Sequence, residues 1–254
     1  MKGVILAGGK GTRLYPLTHA TNKHLLPVYD QPMVYYPIQT LVKAGITEIL
    51  IVTGDIHAGD FINVIKNGHD LGLQHVEYAY QEGGSAGISD ALKYAEDFAD
   101  GGSIAVILGD NTTDADISGA VHGFTDGAMV FLKEVPDPER FGIPRFSAGD
   151  PNVIEEIIEK PKDPPSNQAV TGLYLYDHTV FDKIRSLKPS ARGELEVTDL
   201  NNAYIAEGKL RHAPLDGFWS DAGTFPSLFR TAHFWAKKKL GDKFQDIVDG
   251  KITL

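Results

Sequence analysis

Lys2-Gly3-Val4-Ile5-Leu6-Ala7-Gly8-Gly9-Lys10-Gly11-Thr12-Arg13-Leu14 is the stretch on which this chain turns. Its first half is an uninterrupted apolar run, the pattern of a strand buried on both faces of a parallel sheet. Its second half places glycine at positions 8, 9 and 11. Lacking Cβ atoms, these residues permit positive φ and let an anion approach the backbone amides. Lys10 and Arg13 add positive charge to such a nest. The stretch therefore reads as a strand running into a phosphate-binding loop, the alternative being a glycine-rich turn that only reverses the chain. Neither common nucleotide fingerprint fits. Gly3 and Gly8 have the Walker spacing, but Gly9 stands where its lysine belongs. Gly9-Lys10-Gly11 begins a dinucleotide motif, yet Leu14 takes the third glycine's place.

Working outward, the chain has 254 residues, 42% of them hydrophobic and 23% charged, enough for one large α/β domain or two small ones. A formal charge of −10 argues against nonspecific binding to DNA or to a membrane surface. Any phosphate site must then be made locally positive. With no cysteine there is no disulfide, thiolate metal site or cysteine nucleophile. The nine histidines lack close ligand spacing, so no zinc is expected. The first apolar run is too short for a signal segment and no later one approaches a membrane span, so a cytoplasmic protein is expected.

Further buried-strand runs follow at Glu48–Gly54, Val76–Gln81 and Ser103–Asn111, with helices expected over Tyr36–Ala44 and Gly59–Lys66. Ligands of open parallel sheets gather at the carboxyl ends of strands. Asp110 therefore arrives at the same edge as the glycine loop, either as a cap or as a ligand. From Gly127 the pattern changes to short strands at Ala128–Glu134, Ile143–Phe146, Val153–Ile158 and Ala169–Tyr176, joined by proline-rich links. A helix over Phe225–Lys239 closes in three lysines, which suit the negative end of its dipole in solvent.

Several motifs together carry a family resemblance over nearly the whole chain. Leu6-Ala7-Gly8-Gly9-Lys10-Gly11-Thr12-Arg13-Leu14 and Lys23 before Leu25-Leu26-Pro27 are the first two. Glu159-Lys160-Pro161 with Ala169-Val170-Thr171-Gly172-Leu173-Tyr174 is the third. Pro189-Ser190-Ala191-Arg192-Gly193-Glu194-Leu195-Glu196-Val197-Thr198-Asp199 and Trp219-Ser220-Asp221-Ala222-Gly223-Thr224 complete the set. These segments resemble the sugar nucleotidyltransferases, most strongly those that join dTTP to glucose 1-phosphate and release pyrophosphate.

The resemblance implies a Rossmann-like α/β fold: a mixed, mostly parallel central sheet with helices on both faces and a smaller sugar-binding β lobe. It implies one domain over 1–254, with a nucleotide half (about 1–126), a sugar half (about 127–224) and a C-terminal helical segment (225–254). It also implies a compact, C-terminally short form for which a regulatory site built from extra helices is not expected. Leu6, Gly8, Gly9, Gly11, Thr12, Arg13, Lys23, Gln81, Gly87 and Asp110 would bind the nucleotide. Gly142, Glu159, Lys160, Val170, Gly172, Tyr174, Arg192 and Trp219 would border the sugar phosphate. Asp110 and Asp221 would hold Mg²⁺, while Arg13, Lys23, Asp110 and Lys160 would act in catalysis. A homo-oligomer is expected, with no nucleic-acid or membrane partner.

Read without the resemblance, Lys23 is an ordinary solvated lysine, Gln81 a polar strand end and Glu159-Lys160 a surface pair. Trp219 is as readily a core residue as a pocket wall. Thr198 or Asp199 is expected to cap a helix carrying Asn201 and Tyr204, and Asp114 and Asp116 to be exposed turn and cap residues.

The chain also departs from the family. Ser89 and Asp90 stand where alanine and glutamine are usual, near the nucleoside and sugar sites. Pro144-Arg145 interrupts a strand that would then sit at an edge or meet a partner subunit. UTP or another hexose 1-phosphate remains an alternative substrate, and a noncatalytic nucleotide-sugar regulator an alternative role.

Overall fold

The apolar run after Lys2 becomes strand β1 (Lys2–Leu6), whose side chains alternate between two cores. Val4 and Leu6 enter one core, while Ile5 and the following Ala7 enter the other. Both faces of the strand are thus out of water, and each fully buried Val, Leu or Ile contributes roughly 1.5–3 kcal/mol.

The structure is a computed structural model that describes residues 1–54, 56–82 and 86–251. After β1 come β2 (Pro27–Val28), β3 (Gln31–Pro32), α1 (Tyr35–Lys43), β4 (Glu48–Thr53), α2 (Ala58–Ile65) and β5 (His75–Tyr80). Next are α3 (Ile88–Leu92), α4 (Glu96–Ala99), β6 (Ile104–Leu108), β7 (Asn111–Thr113), α5 (Ser118–Gly123) and β8 (Ala128–Glu134). Then follow β9 (Gly142–Phe146), β10 (Ile154–Glu159), β11 (Gln168–Tyr176), α6 (Val180–Ser186) and α7 (Val197–Ala206). The described chain ends with β12 (Leu210–Pro214), β13 (Trp219–Asp221), α8 (Phe225–Leu240) and α9 (Lys243–Val248).

Seven strands form one sheet in the order β12-β8-β11-β6-β1-β4-β5. Strand β11 runs antiparallel to β6 and β8, and the other pairings are parallel. Side chains of α3, α4, α6 and α7 pack into one core and those of α1 and α2 into the other, so helices cover both faces. This is the Rossmann-like mixed sheet expected. Strands from before and after position 127 share it.

Register aligns the loop with its partners. Leu6 pairs with both Val52 and Leu108, so the Gly8 loop, Gly54 and Asp110 leave the sheet at one edge. The β11 register shifts between Val170 and Tyr174, and a bulge of this kind re-aims the backbone toward a site. Gly172 lies in that irregularity. A Cβ there would sit 2.6 Å from Asn111 Oδ1, so only glycine fits. The β9–β10 ribbon forms the smaller lobe, held to α7 because the Asn202 side chain bonds both Ile157 N and Ile157 O.

Pro144 is tolerated because, among the described residues, β9 pairs only with β10, leaving an edge where its missing N–H breaks no ladder bond. Arg145 meets Glu156 at 2.9 Å across the ribbon.

Three local expectations need correction. Neither Thr198 nor Asp199 caps α7, which starts at Val197 after Glu196 without a side-chain cap. Thr198 donates instead to Glu159 Oε2 at 2.6 Å. Asp114 is half-buried rather than an exposed turn residue: it accepts from Phe218 N and pairs with Lys238. The lysines ending α8 are correspondingly not simply solvated, since Lys239 also pairs with Asp30. At its other end α8 begins with a reciprocal Thr224–Ser227 capping box directly after Gly223. No helix among the described residues is long and apolar enough to cross a membrane.

Candidate active site

A cavity of about 460 Å³ opens between the sheet edge and the β lobe. Of the residues singled out in the sequence, Arg13, Asp110, Gly142, Glu159, Lys160, Val170, Gly172, Tyr174, Arg192, Trp219 and Asp221 line it. Leu6, Gly8, Gly9, Gly11, Thr12, Lys23, Gln81 and Gly87 are not on its wall but lie at the end of β1 and in the adjoining segments. Lys23 reaches the wall through Asp110, and several others are held by contacts among neighbouring segments. Leu6 O accepts from Gly109 N, and Gly11 lies against Lys23 and Thr18. Gly8 lies under Gln81 Oε1, which would be 3.1 Å from a Cβ on that glycine. Gly87, at φ +107°, is so close to Leu195 that a Cβ would meet its carbonyl oxygen at 2.5 Å. Gly83, Gly84 and Ser85 lie outside the described residues.

Asp110 is the best-supported group in the cavity. Lys23 Nζ lies 2.6 Å from its Oδ2, and Asn111 Nδ2 donates to its Oδ1 at 2.9 Å. Burial pushes the carboxyl up, but the Lys23 charge and these hydrogen bonds more than offset it and hold the group well below its ordinary value. His24 beside it is neutral, since burial and then the charge of Lys23 bring it down to about 3.

Asp221 behaves oppositely. Burial and then the negative charge of Asp110 push it up to about 6, against the pull of Arg140 and Arg13. The antiparallel pairing of β7 and β13 brings the two acids together, with Ala222 N donating to Asp110 O at 2.8 Å. A Cβ on Gly223 would lie 3.2 Å from Arg13 Nη2 and 3.5 Å from Asp110 Oδ2. Glycine there leaves room for both side chains beside the turn.

Across the cavity Lys160 holds a positive φ of 45°, which turns the chain out of β10. Its ammonium lies 2.9 Å from Glu159 Oε1. Arg192 Nη2 is shared between Glu159 at 3.2 Å and Glu196 at 2.9 Å. Burial pushes the Glu159 carboxyl up, but Thr198, Lys160 and Arg192 bring it below its usual range. Trp219 is both wall and support: it lines the cavity while its Nε1 donates to Asn111 Oδ1 at 2.8 Å.

A family model for nucleotidyl transferases matches residues 2–238. The chain belongs to the nucleotidyl transferase family. A glucose-1-phosphate thymidylyltransferase from Neisseria gonorrhoeae is 44% identical over 240 residues, covering 92% of this chain and 82% of the relative. One from Mycobacterium tuberculosis (strain ATCC 25618 / H37Rv) is 40% identical over 239 residues, with the same coverage of 92% and 82%. Among solved structures, a Bacillus anthracis protein assigned as a glucose-1-phosphate thymidylyltransferase, in complex with a sucrose, has a TM-score of 0.88. It is 46% identical and covers 96% of this chain and 99% of its own. A UDP-glucose pyrophosphorylase complexed with UDP-glucose shares the fold, with TM-score 0.80 at 24% identity over 93% of this chain and 98% of its own.

In this nucleotidyl transferase, sequence reasoning passed over two groups that the geometry singles out. Arg140 bridges Asp137 and Asp221, the latter at 2.9 Å. Its only signal was membership of the charged, proline-rich run Asp137-Pro138-Glu139-Arg140, which reads as solvated surface. Asn111 joins Asp110, Trp219 and the Gly172 amide through one side chain. Its signal was adjacency to Asp110 at a strand end. One departure also changes meaning. Ser89 is fully buried and donates to Glu196 O at 3.2 Å, so it ties α3 to the start of α7 rather than facing a sugar.

Proposed function

We propose that this nucleotidyl transferase joins dTTP to glucose 1-phosphate, giving dTDP-glucose and pyrophosphate. The observation that carries the reading is the convergence of Arg13, Asp110 and Asp221 opposite Lys160 on one cavity. The name shared by the relatives above supports the choice of substrates.

In the reaction, an oxygen of the sugar phosphate bonds to the α-phosphorus of dTTP. The bond from that phosphorus to the bridging oxygen breaks, and pyrophosphate leaves with the electron pair. The attacking phosphate is already anionic near neutral pH, so no side chain need remove a proton. What the protein must supply is alignment of two polyanions and compensation of their charge. Arg13 and the amides from Gly8 to Thr12 take the β- and γ-phosphates, and Lys23 supports the triphosphate. Lys160, with Arg192, takes the sugar phosphate, and Glu159 holds both cations in place.

The donor set suits Mg²⁺. Burial and then the charge of Asp110 make ionised Asp221 costly in the fold, a cost that a shared cation would relieve. Mg²⁺ commonly takes one or two carboxylates and fills its remaining positions with phosphate oxygens and water. Bound by these residues it would neutralise charge on the reacting phosphate.

Crossing dTTP, UTP, dCTP and GTP with several hexose 1-phosphates, read by pyrophosphate release, tests the assignment. The fastest turnover is expected with dTTP and glucose 1-phosphate; binding of nucleotide without release would instead indicate a regulator. In the same assay Lys160→Met keeps the aliphatic stem but removes the charge. It should lower kcat/KM for glucose 1-phosphate by about a hundredfold while nucleotide binding persists. An unchanged value removes Lys160 from the mechanism.

A further inference from the structure

We propose that Asp90 sets which pyrimidine this site accepts, by locking the Gln81 amide with its carbonyl oxygen presented to the base. The inference rests on the nucleotide reading of the glycine loop and adds a residue that does not itself touch the substrate.

Gln81 leaves the end of β5 at the nucleotide edge of the sheet, where its backbone N donates to Thr53 O at 2.7 Å. The residue is only 4% exposed. The amide nitrogen donates to Asp90 Oδ2 at 2.8 Å, and the other Asp90 oxygen meets Lys93 Nζ at 2.9 Å. An ionised carboxylate can only accept hydrogen bonds. The NH₂ group of Gln81 is therefore held on the Asp90 side, and the ambiguity of amide orientation is removed by chemistry. Burial pushes the Asp90 carboxyl up, but hydrogen bonds from Lys93 and Gln81 bring it below its ordinary value, so it is anionic near neutral pH.

The carbonyl oxygen is left on the opposite side, over Gly8. Among the described residues no donor meets it. The enzyme thus offers a fixed acceptor beside the loop that would carry the nucleotide. Thymine and uracil present a ring N–H at N3 and can donate to it. Cytosine presents a bare N3 lone pair, which would face another lone pair across a buried contact. A glutamine or asparagine at position 90 could accept or donate, letting Gln81 turn either way. The acidic residue makes this site stricter between thymine and cytosine, and neutral between thymine and uracil.

Asp90→Asn and Asp90→Gln test this with dTTP and dCTP in parallel. The wild-type enzyme should favour dTTP, and each variant should narrow the dTTP-to-dCTP ratio of kcat/KM by about tenfold. Most of the change should come from faster use of dCTP, with KM for glucose 1-phosphate unmoved. A residue that only braced the fold would slow both nucleotides together. An unchanged ratio in both folded variants of an active enzyme overturns the role of Asp90 alone. A wild-type enzyme that transfers neither nucleotide overturns this inference and the functional reading together.

Discussion

Asp110→Asn should fold and yet release pyrophosphate about a hundred- to a thousandfold more slowly than the wild type, the scale set by losing one preorganised electrostatic group. The substitution keeps the shape of the side chain. It removes the charge that Lys23 faces at 2.6 Å and one of the two carboxylates offered to a cation. If the new amide keeps its oxygen toward Asn111, its NH₂ turns toward the Lys23 ammonium, donor against donor. A stability cost of roughly 1–3 kcal/mol should follow from that buried mismatch. The sign with pH is defined. The depressed Asp110 group contributes stability at pH values above the ordinary aspartate range, and that contribution fades as pH falls through its folded value. The cost of the substitution should therefore be largest near neutrality and shrink in acid. Turnover at the wild-type rate in the purified variant would remove Asp110 from the chemistry.

Asp221→Asn should slow turnover comparably while making the protein harder to melt. Burial and Asp110 raise this acid from 3.8 to about 6, so the folded state binds its proton more tightly than the unfolded chain does. Ionising it in the fold therefore costs free energy, a cost absent below the ordinary value and fully present above about pH 6. A shift of this size corresponds to about 1–3 kcal/mol for a group that keeps some contact with solvent. Asparagine removes the cost and can still accept from Arg140. At pH 8 in chelator the variant should melt a few degrees above the wild type, roughly 2–4 °C per kcal/mol for a chain of this size. The gap should close as the pH is lowered toward 4. Equal melting at both pH values would mean that neither burial nor Asp110 raises this acid in the fold. The two substitutions should therefore move stability in opposite directions, because Asp110 is compensated by Lys23 and Asp221 is raised by burial and by Asp110.

Much of this arrangement was legible in the chain, for identifiable reasons. A strand buried on both faces writes itself as a continuous apolar run, so β1, β4 and β6 were readable, and β8 falls on its expected residues. The carboxyl-edge rule for parallel strands then placed Asp110 beside the glycine loop. What escaped were contacts whose identity depends on how two segments meet. Arg140 looks like solvated charge until β13 delivers Asp221 to it. Asp90 stood out as an unusual charge, but its bond to Gln81 depends on the approach of α3 to the end of β5. Thr198 has the chemistry of a helix cap and is diverted because Glu159 lies within reach as a charged acceptor. Local propensity lost there to a tertiary hydrogen bond of the stronger kind.

The stereochemical course at the α-phosphorus is the most direct test of direct transfer between two substrates aligned in one cavity. With a single diastereomer of the α-thio analogue of dTTP and glucose 1-phosphate, one in-line displacement should give a product of inverted configuration. Retention would require two displacements through a nucleotidylated side chain, and would contradict the account.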